Sequence, residues 1–476
     1  MIHILYLLLL TLAALTSFED FLLKFLPVPE AIFFYSRFVS ELSIYIAFIL
    51  VLFGKLIKGI PLSKTPIDLP IIFFLCSAFF SMLVNHSPLF GTIVNLRPWL
   101  RFFILFYLIV NIKITLNQAS AINRTIICAG IVQVVLGILQ YLSRGALDSF
   151  LLPRATDTEI GGVARSSLLL KGGREIGSIY GAAGDTVVYG AFMLLILILI
   201  ISKLNSIRLS KLSNFSENNI NFSSKYNFLS PKVLGILMPF LFITISLSYV
   251  RACVLAAIVL ITIYSVRLFG KVRTMVVLSV AIVLASIIFL ASPPEYSGNA
   301  RYEEQSILAN LTGIFTPDYT KQLKNQRLGA LMGTAPTVIF NKPFLGYGAD
   351  QISAIDRLNA SKISFLTKVW TTEGFKDVYW VAILVFYGLS GLISMVWMFW
   401  RLYYCSRMIY KVSNEQITKE ISLSVNYIII VTSFLLFFNR TIEFRIYGFY
   451  FWFLPGLMFS LYLQEKNQRF ESVREK

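Results

Sequence analysis

The sequence predicts an all-α polytopic membrane protein with about twelve transmembrane helices and a long, partly helical extracytoplasmic loop. Apolar residues make up 57% of the chain and charged residues only 14%, against roughly 45–50% and about 25% in soluble domains. Apolar runs recur from one end of the 476 residues to the other, near the ~20 residues a spanning helix needs. The chain also carries 42 Lys and Arg against 25 Asp and Glu, a net charge of +17, so the distribution of cations becomes the main question. A soluble enzyme, a disordered chain and a secreted disulfide scaffold are excluded.

Hydropathy places the spans at approximately 2–17, 35–54, 69–84, 98–112, 123–142, 187–203, 233–250, 252–266, 274–292, 378–400, 421–438 and 446–463. The first has no basic n-region and no Ala-x-Ala site, so Ile2 to Ser17 reads as a retained helix and not as a removed signal peptide. Threading the helices alternately collects Lys55, Lys58, Lys64, Lys113, Arg124, Lys203, Arg401, Arg407, Lys411 and the basic tail on one side. By the positive-inside rule that side is cytoplasmic, and both termini lie there.

The chain then divides into 1–142 (five transmembrane helices), 143–186 (a Gly-rich outer loop) and 187–292 (helices six to nine, with a cytoplasmic linker at 204–231). These are followed by 293–377 (the large extracytoplasmic loop), 378–463 (the last three helices) and 464–476 (a cytoplasmic tail). The linker is Ser/Asn-rich and reads as a flexible joint. Function is expected on the outer face, where the two long loops lie.

The four cysteines are scattered in or beside apolar runs and show no CxxC spacing, and only two histidines are present, so neither a disulfide framework nor a His-based metal site is expected. The outer cations lean towards arginine, whose planar fork suits phosphate oxygens. Arg251, in SLSYVRACVL, sits in the tight turn between two apolar spans, where a charge marks an anion site or a structural arginine at a partnered helix end. Arg97 and Arg101, beside Trp99, read equally as interfacial anchors or as part of a site. Arg440 and Arg445 share a short loop with Glu443, which favours an internal ion pair.

Four stretches together resemble the O-antigen ligase/polymerase superfamily. GREIGSIYGAAGDTVVYGAF, from Gly173, is similar to that family's Arg-x-x-Gly segment leading into a helix, and SYVRACVL, from Ser248, to its Ser-Arg-Gly-Ala turn. NQRLGALMGTAPTVIFNKPFLGYGADQ, from Asn325, resembles its Arg, helix, then Pro-x-x-Gly-x-Gly pattern, with Pro343, Gly346 and Gly348 in the turn. DVYWVAILVFYGLSGL, from Asp377, resembles the helix that carries Gly-x-x-Gly, here Gly388 and Gly391. The ligases begin that helix with His-Asn, where this chain has Asp377-Val378. That departure favours a polymerase over a ligase.

The resemblance implies a GT-C-like fold and a glycosyltransferase that is metal-independent and uses no cofactor. Its donor would be an undecaprenyl-diphosphate-linked glycan, used at the outer face of the bacterial cytoplasmic (inner) membrane. Cations must hold the donor diphosphate as negative charge builds on the leaving group; Arg251 and Arg327 are the first candidates and Arg174 the third. Asp377 is the candidate general base, with Glu373 as its catalytic alternative and Asp350 nearby, and a raised pKa would suit the role. The competing, favoured reading of Asp377 is as the N-cap of the helix it precedes. Pro343, Gly346 and Gly348 read as a tight re-entrant turn.

Expected partners are the lipid-linked glycan, membrane lipid, and chain-length regulator and flippase proteins, with no nucleic acid. A ligase that moves finished polymer to an acceptor is the alternative within the enzyme class. A polysaccharide-precursor transporter or flippase is the alternative outside it, disfavoured because no repeat relates the two halves of the chain.

Overall fold

The computed structural model describes residues 2–27, 29, 33, 35–36, 38–143, 146–151, 179–214, 230–266, 329–361, 375 and 377–474. Among these residues the structure is helical, with no strand. In chain order the α-helices of five or more residues are α1 (Ile2–Leu15), α2 (Glu19–Leu23), α3 (Val39–Ile57), α4 (Asp68–Val84), α5 (Leu89–Val110), α6 (Leu116–Leu142) and α7 (Thr186–Asn214). They continue as α8 (Pro231–Leu247), α9 (Arg251–Val266), α10 (Ala335–Asn341), α11 (Gln351–Ala360), α12 (Tyr379–Val412), α13 (Gln416–Leu435) and α14 (Arg445–Arg474).

Among the described residues, seven helices are long and apolar enough to cross a membrane: His3–Leu23, Val39–Ile57, Leu89–Val110, Leu116–Leu142, Thr186–Arg208, Tyr379–Val412 and Arg445–Arg469. Asp68–Val84, Pro231–Leu247 and Arg251–Val266 are apolar but shorter. Each expected span coincides with a described helix except 274–292, which lies outside the described residues. Within the large loop expected at 293–377, the described part holds α10 and α11.

Local chemistry sets several helix starts. Thr115 and Gln118 form a reciprocal capping box at α6. Asp185 accepts from the backbone N–H groups of Val187 and Val188 at 2.8 and 2.9 Å, and Ser230 caps α8 with Pro231 behind it.

The first span runs further than its apolar stretch. A 3₁₀ turn at Thr16–Phe18 joins α1 to α2, which carries Glu19 and Asp20. Both carboxylates lie 3.4 Å from the Arg445 guanidinium, and this pairing lets charged residues continue the span.

α7 and α14 form the centre, almost wholly buried, whereas α3 is mostly exposed on the periphery. Lipid tails offer no hydrophobic driving force between helices, so close packing of small residues carries the association. Gly130 and Gly137 of α6 leave room for Ile196 and Tyr189 of α7, and Gly456 of α14 sits against Ile109 and the Phe106 carbonyl of α5.

Long-range hydrogen bonds define two ends of the bundle. At one end Lys55 reaches Asn111, Gln464 reaches the Ile114 carbonyl, and Arg469 reaches the Val412 carbonyl. At the other end α10 and α11 pack against α12, α11 also packs against α5, and Glu41 of α3 meets Arg97 of α5. The candidate site lies at this second end.

Candidate functional site

The 343–348 turn is built into a break in α12. Gly388 takes φ 67° and ψ −165° inside that helix, which opens the ladder and frees backbone groups that a membrane interior must satisfy. The turn satisfies them. Leu389 N–H donates to Pro343 O at 2.7 Å and Ser390 N–H to Phe344 O at 3.2 Å. On the other side of the break, Tyr347 N–H donates to Val385 O at 2.7 Å. Ser81 of α4 donates to both Leu345 O (2.6 Å) and Phe386 O (2.7 Å), and Asn85 donates to Gly346 O at 3.1 Å. Gly346 and Gly348 have φ of 62° and 127°, angles that favour glycine.

Asn95 of α5 ties this joint to a buried polar layer. Its amide donates to Ala349 O at 2.8 Å and to the Tyr387 hydroxyl at 3.3 Å. Trp99 Nε1 donates to the Tyr379 hydroxyl at 3.0 Å, and that hydroxyl donates to Glu443. Arg440 lies 3.8 Å from the same carboxylate. Burial pushes the Glu443 carboxyl above the ordinary glutamate range, against the opposing pull of Arg440 and of the Tyr379 hydrogen bond.

A second cluster lies in the same end. Glu41 accepts from Arg97 Nε at 2.9 Å and Nη2 at 2.6 Å, and from Arg101 Nη1 at 3.5 Å. The Tyr45 hydroxyl donates to it at 2.6 Å. With Arg445 held between Glu19 and Asp20, three arginines face three carboxylates. Arg97 and Arg101 are therefore members of buried ion pairs, and Trp99 is buried beside them and not an interfacial anchor. The pair expected around Glu443 forms with Arg440, while Arg445 turns to α2.

Of the residues singled out from the sequence, Arg251 is half-buried at the first position of α9. It follows a turn in which Tyr249 takes φ 61°, a left-handed conformation uncommon for a residue other than glycine. Ile179 N–H donates to Leu247 O at 3.0 Å, and Gly190 of α7 lies against Ser248, so the segment entering α7 packs on this turn. Asp377 is exposed just before α12. The cap position is Val378, without a side-chain cap hydrogen bond, so the reading of Asp377 as N-cap is not what the geometry shows. Asp350 instead caps α11, accepting from Ser353 N–H at 2.9 Å. Arg174, Arg327 and Glu373 lie outside the described residues.

Sequence reasoning passed over Ser81, Asn85 and Asn95. The usable signal was Ser77, Ser81 and Asn85 recurring every four residues in an otherwise apolar helix, which marks one face with polar contacts. Among the described residues, no group of three His, Cys, Asp or Glu side chains gathers as metal ligands. No protein-family model and no curated protein matches the chain.

Proposed function

We propose that the chain is a membrane glycosyltransferase that polymerises undecaprenyl-diphosphate-linked oligosaccharide repeat units at the outer face of the bacterial cytoplasmic membrane. Both termini are then cytoplasmic, and the Gly346–Gly388 end of the bundle is the outer one. One observation supports this reading above the others: the stretches that carry the superfamily resemblance pair in space. The 343–348 turn interlocks with Gly388, and the segment entering α7 packs on the turn that precedes Arg251.

In this reading Arg251 and Arg327, with Arg174, hold the donor diphosphate. The acceptor hydroxyl attacks the anomeric carbon of the donor as its proton passes to Asp377. The bond from that carbon to the diphosphate oxygen breaks, and undecaprenyl diphosphate leaves with the electron pair. Glu373 is the alternative base. Chain-length regulator and flippase proteins would act beside the enzyme.

The test is chain extension in membranes by Arg251→Ala and Arg327→Ala variants expressed at wild-type level. Loss of about 100-fold or more is expected from removing a group that stabilises the leaving charge, and wild-type activity in both overturns the diphosphate clamp. In a deletion strain the surface glycan should shorten to single repeat units. Accumulation of finished polymer on undecaprenyl diphosphate would instead identify a ligase.

A further inference from the structure

A cavity of about 580 Å³ opens between α9, α12 and α13, away from the joint and the polar layer. Arg407, near one end of it, lies about 28 Å along α12 from Gly388 at 1.5 Å per residue, close to the hydrocarbon thickness of a bilayer. The cavity therefore belongs to the basic end of the bundle. Its walls are largely apolar, with Val259 of α9 and Ile430 of α13 each about half exposed, so it is open on its lipid side. Along α13 it reaches from Leu423 to Phe434, about 16 Å and roughly half a hydrocarbon thickness.

The polar groups gather at one level. Arg407 and Lys411 stand one helical turn apart on α12, both exposed, and Tyr403 shares the wall, its hydroxyl accepting from Arg407 Nη1 at 3.1 Å. Among the described residues, no acidic side chain lines the cavity. Two cations over an apolar slot one leaflet deep complement an anionic headgroup with its acyl chain below.

We propose that this cleft is a binding site for an anionic glycerophospholipid, with the headgroup phosphate on Arg407 and Lys411 and an acyl chain between α9 and α13. Its assignment to the cytoplasmic leaflet rests on the orientation proposed above; the site itself does not depend on the glycosyltransferase reading. The chain's own apolar stretch after α9 is the rival occupant. Residues 267–292 contain Arg267, Lys271 and Arg273 and no acid, so that stretch would add cations to cations, whereas a phosphate neutralises them. A long polyprenyl chain would outrun a slot one leaflet deep.

The test is native mass spectrometry of the full chain released from detergent with phosphatidylglycerol, phosphatidylcholine or undecaprenyl phosphate added. Phosphatidylglycerol should be retained over phosphatidylcholine. That preference should fall about 5-fold in Arg407→Gln or Lys411→Gln and about 25-fold in the double variant, at the usual electrostatic contribution of a cation near an anionic headgroup. Ile430→Trp, a substitution at a half-exposed position, should remove retention by filling the slot.

Equal retention of the two phospholipids, an unchanged preference in the double variant, or retention that survives Ile430→Trp overturns the proposal. So does preferential retention of undecaprenyl phosphate. In membranes, Ile430→Cys combined in turn with Val276→Cys and Val280→Cys should not cross-link; efficient cross-linking assigns the cleft to the chain's own segment.

Discussion

Gly346 and Gly388 lie backbone against backbone. A Cβ on Gly346 would stand 2.4 Å from the Val385 carbonyl oxygen, and one on Gly388 would stand 2.3 Å from the Phe344 carbonyl. The broken ladder of α12 is completed by the turn, so neither element keeps its shape without the other.

Gly346→Ala and Gly388→Ala should each destabilise the protein by about 2 kcal/mol or more, since both positions combine a left-handed φ with a backbone clash. Gly59 also has φ 63°, but nothing lies within 4 Å of its added Cβ. Gly59→Ala should therefore carry only the conformational part, about 1 kcal/mol. Thermal unfolding in detergent, followed by size-exclusion chromatography, ranks the three; equal losses would refute the interlock.

Removing Glu41 leaves Arg97 and Arg101 buried without their carboxylate. Glu41→Ala should cost about 3 kcal/mol, the usual penalty for stranding one side of a buried pair. In the double variant Glu41→Ala/Arg97→Ala the two losses should fall short of additive by about 1 kcal/mol or more. A double-mutant cycle on unfolding free energies measures this directly.

Glu443 should make stability depend on pH. Its folded pKa is raised above the ordinary 4.5 because burial disfavours the charged form. Its contribution is then fully present below the unfolded value and is lost as pH rises from about 4.5 through the raised folded value. The difference in melting temperature between wild type and Glu443→Gln should change in that window, with the wild type losing ground as pH rises. A pH-independent difference would exclude Glu443 as the titrating group.

Asp377→Asn tests the base. The exposed position before α12 and the missing side-chain cap predict near-wild-type stability. Chain extension should fall by about 100-fold or more, the usual contribution of a general base. Full activity would remove Asp377 from that role and direct attention to Glu373.

The sequence by itself determined the helical membrane class, the apolar stretches that form most of the described helices, and the glycine turn at 343–348, while it read Gly388 and Gly391 as part of an unbroken helix. Each is local information: hydropathy is averaged over one helix, and a glycine motif is read over a few residues. The first apolar run reads as stopping at Ser17, ahead of Glu19 and Asp20, since a charge in such a run is costly unless it is paired.

Only the tertiary structure decided that Arg445, more than 400 residues away, pairs with them and lets the span continue. It likewise chose Glu41 for Arg97 and Arg101, Arg440 alone for Glu443, and Gly388 for the turn at Gly346. Partner choice among arginines, and the protonation of a carboxyl such as Glu443, depend on which helix ends meet and how much water they exclude. Those quantities arise from packing between segments distant in the chain, and no local stretch of sequence carries them.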